Sequence, residues 1–356
     1  MAIKILGDIV SVVSEHISNP SKSGYHIFVG LEHYDSGEPV ITRHGSTEQL
    51  ESSVKHFIEG DILVARRNVY LKRAGVVNFE GVTSGDSIVL RVKEKKYKDI
   101  IPFILNTDDF WDYAEQNSDG TMSKRLAPDV LLEYECNIPE NHQSIADKLW
   151  AAYKLKVSYK QMITATDEMV KSQFIEMFGD KSTCKKDQLK NHIKEMFIGP
   201  FGSALKNDCF VEDSSKFCVV YEQKHAIDKD ISVPFRYVNE QKYNELKRFT
   251  VIPGDIIVSC RGTVGEVFLI PEGAPMGIMH PSIMKIRLKD DYLPDFFVYA
   301  IIHYMKQRER LNIGTGVKMA IKATDLGEEL FPYPSIEVQH DWVRIIKQAD
   351  KSKYIN

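Results

Sequence analysis

The sequence contains an internal repeat with a period of about 195 residues, so each copy has the size of a whole domain rather than of a solenoid unit. The pattern of a turn that enters a buried strand at residues 60–64 (GDILV) returns at residues 254–258 (GDIIV). Residues 87–91 (SIVLR) are matched in the same order by residues 282–287 (SIMKIR). We therefore expect two domains of one fold, although a duplication of this kind can also be purely architectural.

Each copy of the repeat combines short strands with one helical stretch. Residues 99–116 and 294–309 are rich in aromatic side chains and are typical of a helix. The stretches that read as strands are bounded by turn signals, for example at residues 25–31, 61–65 and 87–92. This order predicts a mixed α/β (α+β) fold for each half.

A long helix is predicted between the two copies, because residues 140–178 contain no glycine and no proline. At ~1.5 Å per residue it would be a rod on the order of 55 Å long. A heptad seam is predicted along it at Ile145, Leu149, Ala152, Lys156, Tyr159, Ile163, Thr166, Val170, Gln173 and Met177. A shorter C-terminal helix with Trp342 and Ile346 is expected to pack against it antiparallel, as a coiled coil that covers about half of the rod.

These patterns divide the chain into four parts. We expect a first domain at residues 1–139, a helical spacer at 140–179, a second domain at 180–334 and a short helical region at 335–356.

The charge of the chain argues against simple electrostatic binding to nucleic acid. The net charge is −4, and residues 1–140 carry 15 basic and 22 acidic side chains. DNA-binding proteins are usually basic. Affinity for phosphates would have to come from clustered positive charge or from partner subunits. The absence of a signal-peptide pattern and of a long apolar run, together with five widely spaced cysteines, favours a cytoplasmic protein.

No motif of an enzyme active site or of a cofactor site is present. The sequence lacks a phosphate-binding G-x-x-x-x-G-K-[ST] loop, a G-x-G-x-x-G turn, the H-E-x-x-H zinc motif and any Pro-Pro pair of an adenine methyltransferase. Asp86 with Glu94 and Lys96 superficially matches a nuclease, but these residues lie in a run of solvated charges. We therefore predict no catalytic residue, no metal and no cofactor.

Basic and amide side chains in turns are the candidates for contact with DNA. Arginine can bridge O6 and N7 of guanine, and glycine-rich turns allow the backbone to approach closely. The predicted DNA-binding residues are Arg43, His44, Arg66, Arg67, Lys72, Arg73, Lys124, Arg125, Ser203, Lys206, Asn207, Arg261, Lys318 and Lys322.

Five segments in one order give the chain a resemblance to a known family. They are residues 28–46 (FVGLEHYDSGEPVITRHGS), 59–76 (EGDILVARRNVYLKRAGV), 198–206 (IGPFGSALK), 253–273 (PGDIIVSCRGTVGEVFLIPEG) and 314–319 (GTGVKM). With these segments the chain resembles the DNA-specificity subunit of Type I restriction-modification enzymes over nearly its whole length.

The resemblance implies a non-catalytic subunit that binds double-stranded DNA. In that family each recognition domain reads half of a split site, and the helices dock methyltransferase subunits and, through them, the restriction and translocase subunits. ATP, S-adenosylmethionine and Mg²⁺ then belong to those partners. The predicted partner-binding residues are Ile145, Leu149, Tyr159, Ile163, Val170, Trp342 and Ile346.

The chain departs from the family in its second helical region, which is shorter than the first. We expect either a truncation or a second chain that completes the coiled coil. The alternative function is a scaffold or anti-restriction protein that binds methyltransferase subunits without reading DNA. A stand-alone enzyme is a third alternative, with no motif to support it. The DNA target and the spacing of its halves are not encoded in any simple way.

Overall fold

The computed structural model describes residues 2–120, 123–212, 214–312 and 322–353. The chain divides into two compact units, Met1–Tyr159 and Lys160–Asn356. The division falls inside one helix, which begins at His142 and ends at Phe178, close to the predicted bounds of the spacer. None of the helices in the described part of the chain combines the length and the apolar character that a bilayer crossing requires.

The elements of the first unit are mostly short strands. The strands are β1 (Ala2–Ile5), β2 (Val10–Val13), β3 (His16–Ile17), β4 (Ile27–Val29), β5 (Val40–Ile41), β6 (Gly45–Ser46), β7 (Val54–Phe57), β8 (Ile62–Ala65), β9 (Ala74–Val77), β10 (Gly81–Thr83), β11 (Ser87–Val92) and β12 (Glu135–Ile138). The α-helices are α1 (Leu6–Ile9), α2 (Ile101–Ile104), α3 (Asp108–Gln116), α4 (Pro128–Leu132) and the long α5 (His142–Phe178).

The second unit has the same kinds of element. The strands are β13 (Lys186–Gln188), β14 (Ile193–Ile198), β15 (Cys218–Tyr221), β16 (Arg236–Val238), β17 (Thr250–Val251), β18 (Ile256–Ser259), β19 (Val267–Leu269), β20 (Gly277–Met279), β21 (Ile283–Leu288) and β22 (Leu330–Pro332). The α-helices are α6 (Gln223–Asp228), α7 (Glu240–Glu245), α8 (Pro294–Asn312), α9 (Ala323–Glu328) and α10 (Ile336–Lys353).

The two units repeat one sheet topology. In the first unit one sheet has the order β2-β11-β8-β9-β5, the other has the order β3-β7-β10-β4-β6, and β1 pairs with β12. In the second unit the corresponding orders are β14-β21-β18-β19 and, read from the opposite edge, β16-β15-β20-β17, and β13 pairs with β22. The edge strands β3 and β5 of the first unit have no equivalent among the described strands of the second. Even the parallel pair β4–β10 has its counterpart in β15–β20. The mixed α/β duplication predicted from the sequence is therefore confirmed.

An ion pair between a buried aspartate and a partly exposed arginine occupies the same place in both units. Asp61 accepts hydrogen bonds from Nε and Nη2 of Arg91 at 2.8 and 2.7 Å. Asp255 accepts the same two bonds from Arg287 at 2.6 and 2.8 Å. Each carboxylate also accepts a backbone N–H from three residues earlier. The repeated Gly-Asp motif is thus a turn closed by a cross-strand ion pair.

The strand register corrects one of the sequence matches. Ser87 pairs with Ala65, whereas the residue that pairs with Ser259 is Ile283. Ala65 and Ser259 are equivalent, because each ends the strand that follows the Gly-Asp turn. The match of Ser87 with Ser282 is therefore wrong by one residue. Sequence alone favoured it because both residues are serines that start a run of apolar side chains.

The aromatic-rich stretches also differ between the units. In the second unit the stretch forms the single helix α8, but in the first it is interrupted between α2 and α3. Thr107 ends the interruption, because its side chain accepts the N–H of Phe110 and caps α3. Asn106 stabilises the break by donating to the carbonyls of Ala74 and Pro102.

The long helix α5 is buried only at its two ends. Ala146 lies in the core of the first unit, and Val170, Phe174 and Phe178 lie in the core of the second. Between Ala146 and Val170 every residue of α5 is exposed or half-buried. The predicted heptad seam is wrong at its C-terminal end, where Phe174 and Phe178 are buried and Met177 is exposed. A straight helix drifts from a seven-residue repeat, and large aromatic side chains fill the core best.

The C-terminal helix α10 packs on this end of α5. The ring of Trp342 lies 5.3 Å from that of Phe174 and 5.7 Å from that of Phe178. Further along α10, Ile346 lines the same cavity as Val170, one turn earlier on α5. The two helices therefore run antiparallel, as the sequence predicted, although α10 reaches only the last part of α5.

His56 is held between two carboxylates at the edge of the first unit. Its Nδ1 lies 3.0 Å from Glu15 and its Nε2 lies 2.8 Å from Glu80. Burial opposes the charge on the ring, but the hydrogen bonds to Glu15 and Glu80 outweigh it and raise the pKa of His56. Protonated His56 therefore contributes stability below the unfolded-state pKa of about 6.5, and this contribution is lost as the pH rises through the folded-state pKa.

A pH series on His56→Gln tests this contribution. We expect the difference in free energy of unfolding between the wild type and the variant to be larger at about pH 5.5 than at about pH 8.5. Urea denaturation at both pH values measures it, and the difference cancels the titration of other histidines. An equal difference at both values would show that His56 does not gain protons on folding.

Candidate nucleic-acid interface

A cationic surface is formed in the first unit by the loops that follow β4 and β8. Arg73 joins the two loops, because it donates from Nη1 to the carbonyl of Leu31 at 2.9 Å and from Nη2 to that of Arg67 at 3.1 Å. We name this region the first strand-end surface. It consists of Leu31, Arg66, Arg67, Arg73, Asp86 and Arg125.

One carboxylate serves two guanidinium groups on this surface. Asp86 lies 3.7 Å from Nη1 of Arg67 and 3.5 Å from Nη2 of Arg125. The two arginines also face each other in an isolated antiparallel bridge. Because a single aspartate cannot neutralise both, the surface keeps a positive charge.

Further cations reinforce this charge. Nε of Arg66 and Nε of Arg73 are buried and have no hydrogen-bond partner within the described ranges. Burial and the nearby charge of Arg66 lower the pKa of Lys55, whose ammonium donates to the carbonyl of Ser87 at 2.7 Å. The acidic first half of the chain therefore concentrates several of its cations at one place, which is what binding to phosphate groups requires.

Four other predicted residues make contacts outside the first strand-end surface. Arg43 pairs with Asp35 at 2.8 Å, and the exposed ring of His44 packs edge-on against Phe79. Lys72 pairs with Asp108 at 2.5 Å, and the ammonium of Lys124 donates to the carbonyl of Glu115. The structure does not bring these four side chains together with the arginine cluster.

The second unit has an equivalent surface at the ends of β15 and β18. The amide of Gln223, just after β15, donates to the carbonyl of Thr263 in the loop after β18 at 3.2 Å. Arg236 lies at the same strand end, because it pairs with Glu222, and the backbone N–H of His280 donates to the carbonyl of Tyr221 at 2.9 Å. We name this region the second strand-end surface. It consists of Glu222, Gln223, Arg236, Arg261, Gly262 and His280.

Arg261 is the counterpart of Arg67. The N–H of Arg66 donates to the carbonyl of Asp86 at 2.9 Å, and the N–H of Cys260 donates to that of Ser282 at 2.8 Å. Arg67 and Arg261 follow these donors directly, and Ser282 stands where the first unit has Asp86. Arg261 is exposed, and no described carboxylate lies within 4.0 Å of it. Its guanidinium is therefore available to a ligand.

The turn after Arg261 needs glycine. Gly262 has φ +67° and Gly265 has φ +93°, which side chains of L-residues rarely adopt. A Cβ on Gly262 would also lie 3.1 Å from the amide nitrogen of Gln223. Glycine is therefore required here both by the backbone conformation and by the contact with Gln223.

Arg236 is a candidate that the sequence analysis missed. Its guanidinium pairs with Glu222, lies 3.6 Å from the ring centre of Phe210 and donates to Oδ1 of the predicted residue Asn207 at 3.4 Å. The alternating segment FRYV at residues 235–238 marks an edge strand and was the available signal. The surrounding residues 185–250 show little regular periodicity, so this strand does not stand out in the sequence.

The remaining predicted residues of the second unit lie on other loops. Ser203 and Lys206 are exposed in a loop whose tip carries Phe201, an aromatic side chain that is 90% exposed. Lys322 is exposed and precedes α9. Lys318 lies outside the described residues.

A second missed feature is a histidine turn that both units share. The N–H of Gly30 donates to Nδ1 of His33 at 2.9 Å, and the N–H of Glu222 donates to Nδ1 of His225 at 3.0 Å. The turn fixes the backbone that leads into each strand-end surface. The signal was a histidine four residues after the end of each strand, but the two segments share too few other residues to mark the repeat.

The predicted partner-binding residues fall into two groups. Val170, Trp342 and Ile346 are buried in the core of the second unit, where they pack against this chain itself. Ile145 is half-buried against the first core. Leu149, Tyr159 and Ile163 are exposed on α5 and remain candidates for contact with another protein.

The chemistry of the two surfaces suits an anionic polymer that carries hydrogen-bonding bases. Guanidinium groups, an amide and open glycine turns are the groups that contact phosphates and base edges. Among the residues described, no group of three or more histidine, cysteine, aspartate or glutamate side chains could hold a metal ion.

Residues 181–356 match the model of the family described as Type I restriction modification DNA specificity domain. The second half of the chain belongs to this family. The first unit has the same sheet topology with one additional edge strand in each of its two larger sheets. No curated protein matches the sequence.

Solved structures extend the similarity of fold to the whole chain. One is a chain from a study of complex assembly and conformational transition in the type I R-M system, with 16% identity and a TM-score of 0.58, covering 99% of this chain and 90% of that one. Another is the S subunit of a Type-I restriction-modification system from M. genitalium, with 12% identity, a TM-score of 0.56 and the same two coverages. The similarity to these structures is a similarity of fold, and it extends over both units of the chain.

Proposed function

We propose that this chain is the DNA-specificity subunit of a Type I restriction-modification complex and that it recognises a bipartite site in double-stranded DNA. Each unit contacts one half of the site with its strand-end surface. The chain itself is non-catalytic and directs methyltransferase subunits, and through them restriction subunits, to the site. It acts in the cytoplasm, where the DNA is.

The observation that carries this proposal is the equivalence of Arg67 and Arg261. Two copies of one domain present an arginine at the same strand end, directly after equivalent backbone hydrogen bonds. A duplicated recognition domain suits a split DNA site, because each copy can read its own half. The family match of residues 181–356 supports the same function for the second copy.

Methylome sequencing of the source strain, with and without this gene, tests the function. We expect one bipartite methylation motif to disappear when the gene is removed. Purified protein should then bind a duplex that carries this motif more tightly than a duplex in which one half is scrambled. A methylome unchanged by the deletion would contradict the proposal.

Arg261→Ala tests the role of the second strand-end surface. Loss of a contact between arginine and a base costs about 1–3 kcal/mol of binding free energy, so specific affinity should fall by roughly 5- to 150-fold. Fluorescence anisotropy with the motif duplex and with random DNA measures both affinities. Arg344→Ala, which removes an exposed arginine on α10, is the control and should change neither. An equal loss on both duplexes would make Arg261 a phosphate contact only.

One observation supports the alternative function, a scaffold that binds methyltransferase subunits without reading DNA. The middle of α5 exposes apolar side chains, including Leu155 and Met162, and exposed apolar surface marks sites of protein contact. A scaffold that only occupies methyltransferase subunits would bind them but would not bind DNA selectively. Titration of the motif duplex with and without added methyltransferase subunit separates the two functions.

A further inference from the structure

A second cationic site lies in the second unit, at the opposite end of β18 from Arg261. It is a cavity of about 390 Å³ between β14, β21 and the segment that leads into β17. Four residues of β18 at ~3.3 Å each separate the two ends of that strand. The cavity is lined by Glu195, Phe197, Lys247, Arg248, Thr250, Ile252, Lys285 and Arg287.

Lys285 is the unusual member of this set, because its side chain is only 1% exposed. It lies on the central strand β21 and extends between the two sheets of the unit. Its ammonium donates to Glu195 at 2.6 Å and to the carbonyl of Thr250 at 2.7 Å. The ammonium also lies 4.8 Å from the ring centre of Phe197. A lysine has three N–H donors, and the third has no described acceptor.

The first unit shows that the fold does not need this lysine. Lys285 pairs with Ile257 and Val89 pairs with Leu63, so Val89 is its counterpart. Val89 is fully buried among apolar side chains. A buried lysine at a position that accepts valine is costly unless its charge is used.

The charges around the cavity do not balance. Glu195 contacts both Lys285 and Arg287, and the buried carboxylate of Asp255 also pairs with Arg287. Burial opposes the charge of Glu195, but the hydrogen bond from Lys285 outweighs it and lowers the pKa of Glu195. Glu195 is therefore charged, and it is already shared between two cations.

Two further cations on the rim have no such partner. Lys247 and Arg248 are exposed, and no described carboxylate lies within 4.0 Å of either. With Lys285 and Arg287 they make four cations against the two carboxylates of Glu195 and Asp255. The cavity therefore has two positive charges without partners and an unfilled donor on a buried ammonium.

We propose that this cavity is a binding site for a phosphate group, either free phosphate or a phosphate monoester. Guanidinium and ammonium groups together bind the oxygens of a phosphate, and a dianion would balance the two unpaired charges. The volume admits such a group together with a small substituent. The site is separate from the second strand-end surface, so it does not depend on the proposed reading of DNA.

Titration of the full-length protein with inorganic phosphate tests the proposal. We expect line broadening of the ³¹P resonance and a saturable rise in unfolding temperature at constant ionic strength, with chloride as the reference salt. The ionic-strength match matters, because phosphate also stabilises proteins by exclusion from their surface, and that effect does not saturate. A rise without saturation, or one that chloride reproduces, would overturn the proposal.

Variants locate the effect in the cavity. Lys247→Ala combined with Arg248→Ala changes only exposed side chains and should weaken phosphate binding at least tenfold. Lys285→Val copies the first unit and should abolish saturation. Lys194→Ala, which removes an exposed lysine on β14 paired with Asp290, is the control and should leave binding unchanged. Binding that survives the double substitution would overturn the proposal even if Lys285→Val failed to fold.

A parallel titration with a nucleoside 5′-monophosphate identifies the source of the phosphate group. Tighter binding of the nucleotide than of inorganic phosphate would indicate a monoester, and equal binding would indicate the free ion. Either result supports the site, provided that the double substitution weakens the binding of the nucleotide and of inorganic phosphate.

Discussion

Replacement of Trp342 by alanine should lower the free energy of unfolding of the second unit by about 3–5 kcal/mol. Trp342 is fully buried and contacts Phe174 and Phe178 on α5 and Tyr299 on α8. Alanine would leave a large cavity where three helices meet, and these aromatic neighbours cannot fill it. The loss should be concentrated in the second unit, since every described contact of Trp342 lies there.

Urea denaturation combined with hydrogen exchange measures this effect. Amides of α10 and of the last two turns of α5 should lose protection, whereas those of the first unit should keep it. Trp342→Phe should recover part of the stability, because it keeps an aromatic ring in the core. Arg344→Ala, on the same helix but 78% exposed, should change stability by less than about 0.5 kcal/mol. A loss below about 1 kcal/mol for Trp342→Ala would contradict the packing of α10 on α5.

Replacement of Asp255 by alanine should also be strongly destabilising, by about 3 kcal/mol. The carboxylate is 1% exposed, and its loss leaves the half-buried guanidinium of Arg287 without its bidentate partner. The backbone N–H of Ile252 would lose its acceptor as well. Glu195 still contacts Arg287 and limits the loss.

The equivalent change in the first unit, Asp61→Ala, provides the matched comparison. Arg91 is 42% exposed, so water can hydrate it after its partner is removed, and the loss should be about 1–2 kcal/mol. Asp290→Ala, which removes a fully exposed carboxylate, is the control and should have no measurable effect. Thermal or urea denaturation of the three variants ranks them by the loss in free energy of unfolding. An effect of Asp61→Ala equal to that of Asp255→Ala would show that the exposure of the arginine does not set the cost.

Several features of the fold could be predicted because they depend on local sequence. The Gly-Asp turns at Asp61 and Asp255 require a glycine with positive φ before a carboxylate, and that pair of residues repeats visibly. The long helix follows from the lack of glycine and proline between residues 140 and 178. The break between α2 and α3 was missed, because Thr107 can cap a helix or lie within one and only the contacts of Asn106 decide.

The candidate site was predicted only in part. Arg67 and Arg261 were predicted from their charge and from their place after a buried strand, and Arg125 from a basic segment that recurs in both copies. In the structure Arg67 and Arg125 share the carboxylate of Asp86. The neighbours Asp86 and Arg236 were not assigned to the site, because Asp86 reaches it from the turn before β11 and Arg236 from strand β16, both distant in sequence from the arginines that they accompany.

The sequence alone determined that one fold occurs twice and that a continuous helix joins the copies, because glycine turns, strand patterns and helix breakers act over a few residues. Only the tertiary structure decided the register of β11 and β21, the choice of Phe174 over Met177 for the core, and the partners of each arginine. These depend on packing and on pairs of charges far apart in the chain, such as Arg67 with Asp86 or Lys285 with Glu195. Arg67 therefore has a carboxylate partner in the first copy, whereas its counterpart Arg261 has none among the described residues of the second.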